Sequence, residues 1–422
     1  MFEKILHLLL IVYVCSFAFY TLLNSSGIAP LTLFVAFAMM IFILVSAKHL
    51  YVPNFNINDV LILFILIITL LSFLFSSESS LNANYLLAYL YVVLAYYLTQ
   101  RVIIYNLNIR SLGFVPFKGL YFLFVIIVIT GILDYFLLIN GINIRELLDL
   151  TKANKLAGTG IFVRPTGFFV EPTDYALFLS ATFPFAFIYL NVFQKYDKKN
   201  KFIIFYYFLL FFALLVLTRS AAAVAGIIIG LALIALDFIL RYNYKLRFLV
   251  KLCNIYSIIF IFFVSLLFIF DLPFLSDVIE IIFSKIFLSD EMASANNRYF
   301  AWSRAINLFL DSPNVIIGYG TGYLSGTKVS AISWHLSLLV DNGIISIALL
   351  SIIHVYTYYL IFRLDPLFRY ALYVSYTVLS VGLFTNTGFY FPLFWFITAL
   401  IPSVHNSRYR APFTTPKELT TF

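Results

Sequence analysis

The sequence predicts an all-α protein that crosses a membrane many times. Hydrophobic residues make up 63% of the 422-residue chain and charged residues only 11%. Soluble domains are roughly 45–50% apolar and 25% charged, so this composition excludes one. The apolar residues also gather into runs near the ~20 residues that span a bilayer. Inside lipid, backbone polar groups must be satisfied within their own segment, which makes these runs helices.

The runs fall at 5–23, 31–47, 60–75, 85–100, 119–139, 173–193, 202–217, 221–240, 252–270, 335–362, 370–385 and 389–402, giving about 12 transmembrane helices. The first follows a single lysine and ends in Asn24-Ser25-Ser26-Gly27 without a small-x-small cleavage pattern, which reads as an uncleaved span rather than a signal peptide. Placing the N-terminus in the cytoplasm puts most of the 27 Lys and Arg on that side, including those of the short loops Lys195–Lys201 and Arg241–Lys251. Short-loop charge sets orientation, so both termini are expected inside. Residues 1–422 then form one integral membrane domain with two long extracytoplasmic loops, 140–172 and 271–334. In the second, Asp277–Leu288 and Asn297–Leu310 have helical apolar spacing and read as short helices at the membrane surface.

The net charge of +8 is largely accounted for by the cytoplasmic loops, and no nucleic-acid partner is expected. Cys15 and Cys253 both lie inside apolar runs, so neither a disulfide framework nor a cysteine metal site is expected. No His, Glu and Asp cluster has metal-ligand spacing.

Candidate chemistry lies in the outward segments. Arg164, Gly167 and Glu171 lead into the span that starts at Pro172-Thr173, which brings a cation and a carboxylate to one interface; an interfacial anchor and a helix-dipole charge would look the same. Arg219 sits outside in the tight turn Thr218-Arg219-Ser220, ahead of the small residues Ala221-Ala222-Ala223, which permit close approach. Arg298 and Arg304 lie on neighbouring faces of the expected helix at 297–310. The cluster Gly318-Tyr319-Gly320-Thr321-Gly322 could expose backbone N–H groups to an anion, although a structural turn explains it equally. His335 opens a span and is the side chain suited to general-base work near neutral pH; the other histidines are expected away from the arginines. Asp134 and Asp237 lie inside apolar runs, which makes each a functional suspect. Tyr299, Trp302, Tyr319, Tyr323 and Trp334 could stack on sugars or simply anchor at the interface.

Four motifs in order, Arg-x-x-Gly-Phe-Phe-x-Glu-Pro (Arg164 to Pro172), Leu-Thr-Arg-Ser (Leu217 to Ser220), Arg-x-x-x-Trp (Arg298 to Trp302) and Asp-Ser-Pro leading to Gly-x-Gly-x-Gly (Asp311 to Gly322), resemble the O-antigen polymerase and O-antigen ligase superfamily. The Wzy-type polysaccharide polymerases are the closer fit. The resemblance implies a GT-C-like glycosyltransferase of the bacterial cytoplasmic membrane. Such an enzyme joins undecaprenyl-diphosphate-linked oligosaccharides on the outer face, with no metal, cofactor or nucleotide sugar, for lipopolysaccharide or capsule. It also implies a flippase and a chain-length regulator as partners. On this reading Arg164, Arg219 and Arg298, with Arg304 in reserve, bind the diphosphate, and Glu171, with His335 second, accepts the proton. Two departures stand out. The His-Asn pair that ligases typically carry before the glycine matched by Gly343 is missing, since His335 is followed by Leu336. Some polymerases space Arg and Gly alike in both loops, but Tyr175 and Phe309 stand where those glycines would. The alternatives are a ligase that passes glycan to lipid A-core or protein, and, from another class, a lipid-linked oligosaccharide flippase.

Overall fold

The computed structural model describes residues 2–19, 53, 55–76, 83–109, 115–142, 163–169, 171–190, 198–241, 293–327, 329, 331–385 and 391–407. Every regular element among them is helical. They are α1 (Phe2–Cys15, extended by a 3-10 turn Ser16–Phe19), α2 (Ile57–Phe75), α3 (Ala83–Tyr91), which passes through a π-helical stretch Val92–Leu98 into α4 (Thr99–Ile109), α5 (Val115–Ile139), α6 (Pro172–Ile188), α7 (Lys198–Thr218), α8 (Ala221–Arg241), α9 (Ala293–Leu310), the single turn α10 (Tyr323–Gly326), α11 (Trp334–Phe362), α12 (Pro366–Thr385) and α13 (Pro392–Ser407). Five stretches are long and apolar enough to cross a membrane: Ile57–Phe75, Ala83–Asn106, Val115–Ile139, Ala221–Arg241 and Trp334–Phe362. The spans expected at 31–47 and 252–270, and the surface helix expected at Asp277–Leu288, lie outside the described residues. A helix, as expected over 297–310, is present as α9.

Packing of α8 on α12 explains the small residues after Arg219. Ala221, Ala222 and Ala223 are buried. One and two turns further on, a Cβ at Gly226 would lie 2.7 Å from the Val378 Cα, and one at Gly230 would lie 2.9 Å from the Val374 Cα. The backbones therefore touch in the small-xxx-small manner of membrane helices. Gly226→Leu should push α12 away, and α12 also carries Ser375, whose hydroxyl donates to the Ala181 carbonyl of α6 at 2.6 Å. The expected outcome is a large fall in the folded fraction, read by membrane abundance and detergent thermal stability.

Buried ion pairs among the described residues gather toward one end of the bundle. There Arg101 holds the Asp59 carboxylate through two bonds of 2.9 and 3.1 Å, and Tyr97 donates to it at 2.6 Å. Asp59 also closes a capping box with Asn56 at the start of α2. At the same end Asp237 takes Arg241 at 3.0 Å and Arg369 at 3.1 Å. Both guanidinium groups also donate to the Phe362 carbonyl at the end of α11. Asp237, a suspect by its position in an apolar run, is thus an ion-pair partner. Buried pairs of this kind hold little net stability but are costly to break, about 3–5 kcal/mol.

Helix α11 does not run straight, contrary to the single span expected at 335–362. Gly343 has φ 75° and ψ −173°, outside helical values. A straight helix would hold His335 and His354 about 28 Å apart at ~1.5 Å per residue, yet their Nε2 atoms lie 3.4 Å apart. The arm 334–342 therefore folds back against the arm 344–362. Trp334, which begins the short arm, is 1% exposed and donates to the Tyr89 hydroxyl at 2.9 Å. It packs on Phe394 and Trp395 inside the bundle. The short arm is a half-helix buried in protein, where broken helices at membrane depth are tolerated.

The segment 314–324 crosses α11 at this break. Tyr319 N–H donates to the Val340 carbonyl at 3.0 Å, Gly320 N–H to the Asp341 carbonyl at 2.9 Å, and Ile344 N–H to the Val315 carbonyl at 3.0 Å. The Asp341 carboxylate accepts the N–H groups of Gly322 and Leu324, each at 3.1 Å. Ser72 of α2 donates to the carbonyls of Ile317 and Asp341, and Thr321 donates to the Thr69 carbonyl at 2.6 Å. The N–H groups of Gly318, Tyr319, Gly320 and Gly322 are thus engaged within the fold. Of the two readings open from sequence, the structural turn is the one present.

Candidate active site

At the end of the bundle opposite the Asp59 and Asp237 pairs, three arginines and a carboxylate from separate segments meet. The first comes from the turn before α6. Asp134, buried near the end of α5, accepts Thr166 N–H at 2.7 Å, the Thr166 hydroxyl at 3.2 Å and Gly167 N–H at 2.9 Å. Gly167 has φ 54°, and a Cβ there would come within 3.1 Å of the Thr130 Oγ1, so glycine is favoured. Phe169 is fully buried against Tyr175 and Phe178. Asp134 therefore acts as a strut that fixes the backbone carrying Arg164. Asp134→Ala removes the acceptor of all three bonds, and each unmet buried donor costs about 1–3 kcal/mol. Abundance and activity should both fall strongly, whereas Asp134→Asn, which keeps one acceptor oxygen, should retain more of both; membrane abundance and transfer rate per mole of purified protein check it.

Arg164 is half-buried and its Nε donates to the Thr218 carbonyl at 2.8 Å. That carbonyl ends α7, where the helix dipole favours a cation. The next residue is Arg219, at φ 51°, a left-handed position where helices normally end on glycine or asparagine. Arginine there stores strain of about 1–2 kcal/mol, the kind of outlier that clusters at functional sites. Ser220 then caps α8, its hydroxyl accepting Ala223 N–H at 3.4 Å. The turn Thr218-Arg219-Ser220 thus presents a carbonyl to one arginine and carries another.

Arg298 comes from α9. The exposure pattern turns Arg298, Trp302, Ala305 and Phe309 inward, whereas Tyr299, Phe300 and Arg304 face out. Ala305 and Phe309 pack on the cluster formed with Leu324, Ala331 and Val340, which anchors α9 across the short arm of α11. Glu171 is the exposed residue before α6, with φ −128° and Pro172 following, and its side chain makes no capping bond.

Electrostatics tie the four together. Burial lowers the Arg164 guanidinium to about 10; Arg219 and Arg298 push it the same way, and Glu171 opposes them. Burial also lowers Arg298, again opposed by Glu171. Three cations and one carboxylate leave two positive charges in a half-buried site, and like charges so gathered favour an anion. Arg164 stays protonated at neutral pH, so the charge is permanent.

Arg304 and His335 are not among the charges that act on Arg164 or Arg298. His335 stacks on His354, with centroids 5.6 Å apart, and His354 Nδ1 lies 2.7 Å from the Tyr376 hydroxyl. His354 is thus the partner of His335. Phe384 links this pair to α9: its ring lies 5.4 Å from His335 and 5.5 Å from Trp302. Among the described residues no three His, Cys, Asp or Glu side chains gather to hold a metal ion.

Residues 206–351 match the family model for O-antigen ligase. This match supports the O-antigen ligase and polymerase superfamily. The matched stretch includes Arg219, Arg298 and the break at Gly343, while Arg164 and Glu171 lie before it. No curated protein matches the chain. The all-helical architecture and the candidate spans agree with that likeness, and members of the superfamily are glycosyltransferase-like enzymes.

Three features of the site escaped sequence reading. The Thr218 carbonyl has no sequence signal. Asp134 was visible as a buried charge, but its partners Thr166 and Gly167 were not. Trp302 was noted as an aromatic, and its inward face alongside Arg298 was implicit in the four-residue spacing.

Proposed function

We propose that the protein is a polysaccharide polymerase of this superfamily, joining undecaprenyl-diphosphate-linked repeat units on the outer face of the cytoplasmic membrane. The observation that carries this is the meeting of Arg164, Arg219 and Arg298 at one end of the bundle, next to Glu171. Departure of a lipid diphosphate develops negative charge, which arginines stabilise through paired N–H donors. Protein cations then do what a metal does in other transferases. The sugar C1–O bond to the diphosphate breaks, the acceptor hydroxyl oxygen forms the new C1–O bond, and Glu171 takes the hydroxyl proton. Arg101, Arg241, Arg363 and Arg369 lie toward the opposite end, and the bias of Lys and Arg to the cytoplasm then supports an outward site.

The matched model's description favours a second reading, a ligase that transfers glycan to lipid A-core or protein. Against it, His335 lacks the following Asn and is turned to His354. A flippase would spread charges along a central cavity, whereas here Arg164, Arg219 and Arg298 gather at one end of the bundle. Cells lacking the protein separate the three. A polymerase leaves single repeat units on the lipid core, a ligase leaves long chains on the lipid carrier, and a flippase leaves neither outside.

A further inference from the structure

We infer that the indole N–H of Trp302 binds the first sugar of the lipid-linked donor, making Trp302 a specificity residue of the site. The inference rests on the diphosphate reading above and extends it to the group beside the phosphates. Five aromatic residues of the outward segments were candidates for sugar contact, and the fold uses most of them otherwise. Trp334 is a core residue bonded to Tyr89. Tyr319 and Tyr323 stack on each other, with centroids 4.3 Å apart and planes 10° from parallel. Tyr299 is exposed on the outer face of α9. Trp302 remains, and its Nε1 is buried without a hydrogen-bond partner.

A buried donor left unmet demands an explanation, and three facts direct it to a ligand. Trp302 is four residues after Arg298, so it shares the inward face of α9 and lies one turn further on, about 6 Å along the axis. That offset is close to the width of a sugar ring, the group bonded directly to the diphosphate. The edge-to-face contact with Phe384, at 5.5 Å and 70°, holds the ring in place. An indole so held offers a donor to a hydroxyl and an apolar surface to a sugar face, the two-sided character for which tryptophan is used at wet sites.

The test uses full-length protein in detergent with two probes: the lipid-linked repeat unit as substrate, and undecaprenyl diphosphate without sugar as inhibitor. In Trp302→Phe the ring stays and the donor goes. The KM for the repeat unit should rise about tenfold, near the upper range for one hydrogen bond, while inhibition by the sugar-free diphosphate stays at the wild-type value. Trp302→His, which keeps a ring N–H, should recover part of the KM. Equal weakening toward both probes would place the indole on the phosphates and overturn the sugar assignment. An unchanged KM in Trp302→Phe, or a loss in Trp302→His alone, would overturn the donor role. A wild-type protein that the sugar-free diphosphate does not inhibit would instead count against the diphosphate reading. Retained inhibition in each variant also serves as its folding control.

Discussion

Arg164→Ala lowers the transfer rate by about 10²–10³, the loss seen when one donor to a developing oxyanion is removed, without comparable loss of protein from the membrane. The physical reason is that Arg164 is the member of the cluster acted on by all the others. It feels Arg219, Glu171 and Arg298 at once and is aimed by the Thr218 carbonyl. The protein should tolerate its removal, because truncation relieves repulsion among half-buried cations. Arg164→Lys keeps the charge but not the planar guanidinium fork, and the two side chains are not interchangeable at a bidentate site. It should recover only part of the rate. Initial rates on lipid-linked repeat units, with abundance measured on the same preparations, decide this. Equal rates in wild type and Arg164→Ala would remove the residue from the site.

The second large effect belongs to the fold. Gly343→Ala should abolish accumulation of folded protein. The position needs φ 75°, and a Cβ would lie 2.2 Å from the Ile316 carbonyl oxygen. Gly318 opposes it under the same constraint, 2.4 Å from the Val340 carbonyl oxygen. Neither backbone can yield without breaking the bonds among Val315, Tyr319, Gly320, Val340, Asp341 and Ile344. A loss of about 4 kcal/mol or more is at the diagnostic extreme for single substitutions and comparable with total stability. Abundance and thermal stability in detergent measure it, with Gly141→Ala as the parallel control. Gly141 also has positive φ, 76°, but nothing lies within 4 Å of its Cβ position. That variant should accumulate with only a modest loss.

The contrast between these two predictions explains what the sequence could reveal. Arg164, Arg219 and Arg298 were legible because each is a basic residue in a segment expected outside, whereas most Lys and Arg fall in segments expected inside, and Glu171 because it stands just before an expected span. Their convergence was not legible, because no local pattern encodes the distance between the turn at 163–169 and α9. The break in α11 stayed hidden for the opposite reason. Residues 335–362 form an unbroken apolar run, so the period and length of a single span are satisfied even though the chain reverses at Gly343. Only the polar trio Asp341-Asn342-Gly343 within that run hinted at it. Asp134 and Asp237 drew attention as buried charges, and burial alone cannot tell a strut or an ion pair from a reacting group. What decides their roles is remote in sequence: Thr166 lies 32 positions from Asp134, and Arg369 reaches Asp237 from another helix.

The most direct measurement is the surface-glycan profile of cells whose only copy of this protein carries Arg298→Ala, at normal membrane abundance. With the arginine cluster at the diphosphate, the ladder of polymer lengths should collapse to a single repeat unit on the lipid core. An unchanged ladder would contradict this, because Arg298 and the cluster it belongs to would then have no part in the transfer.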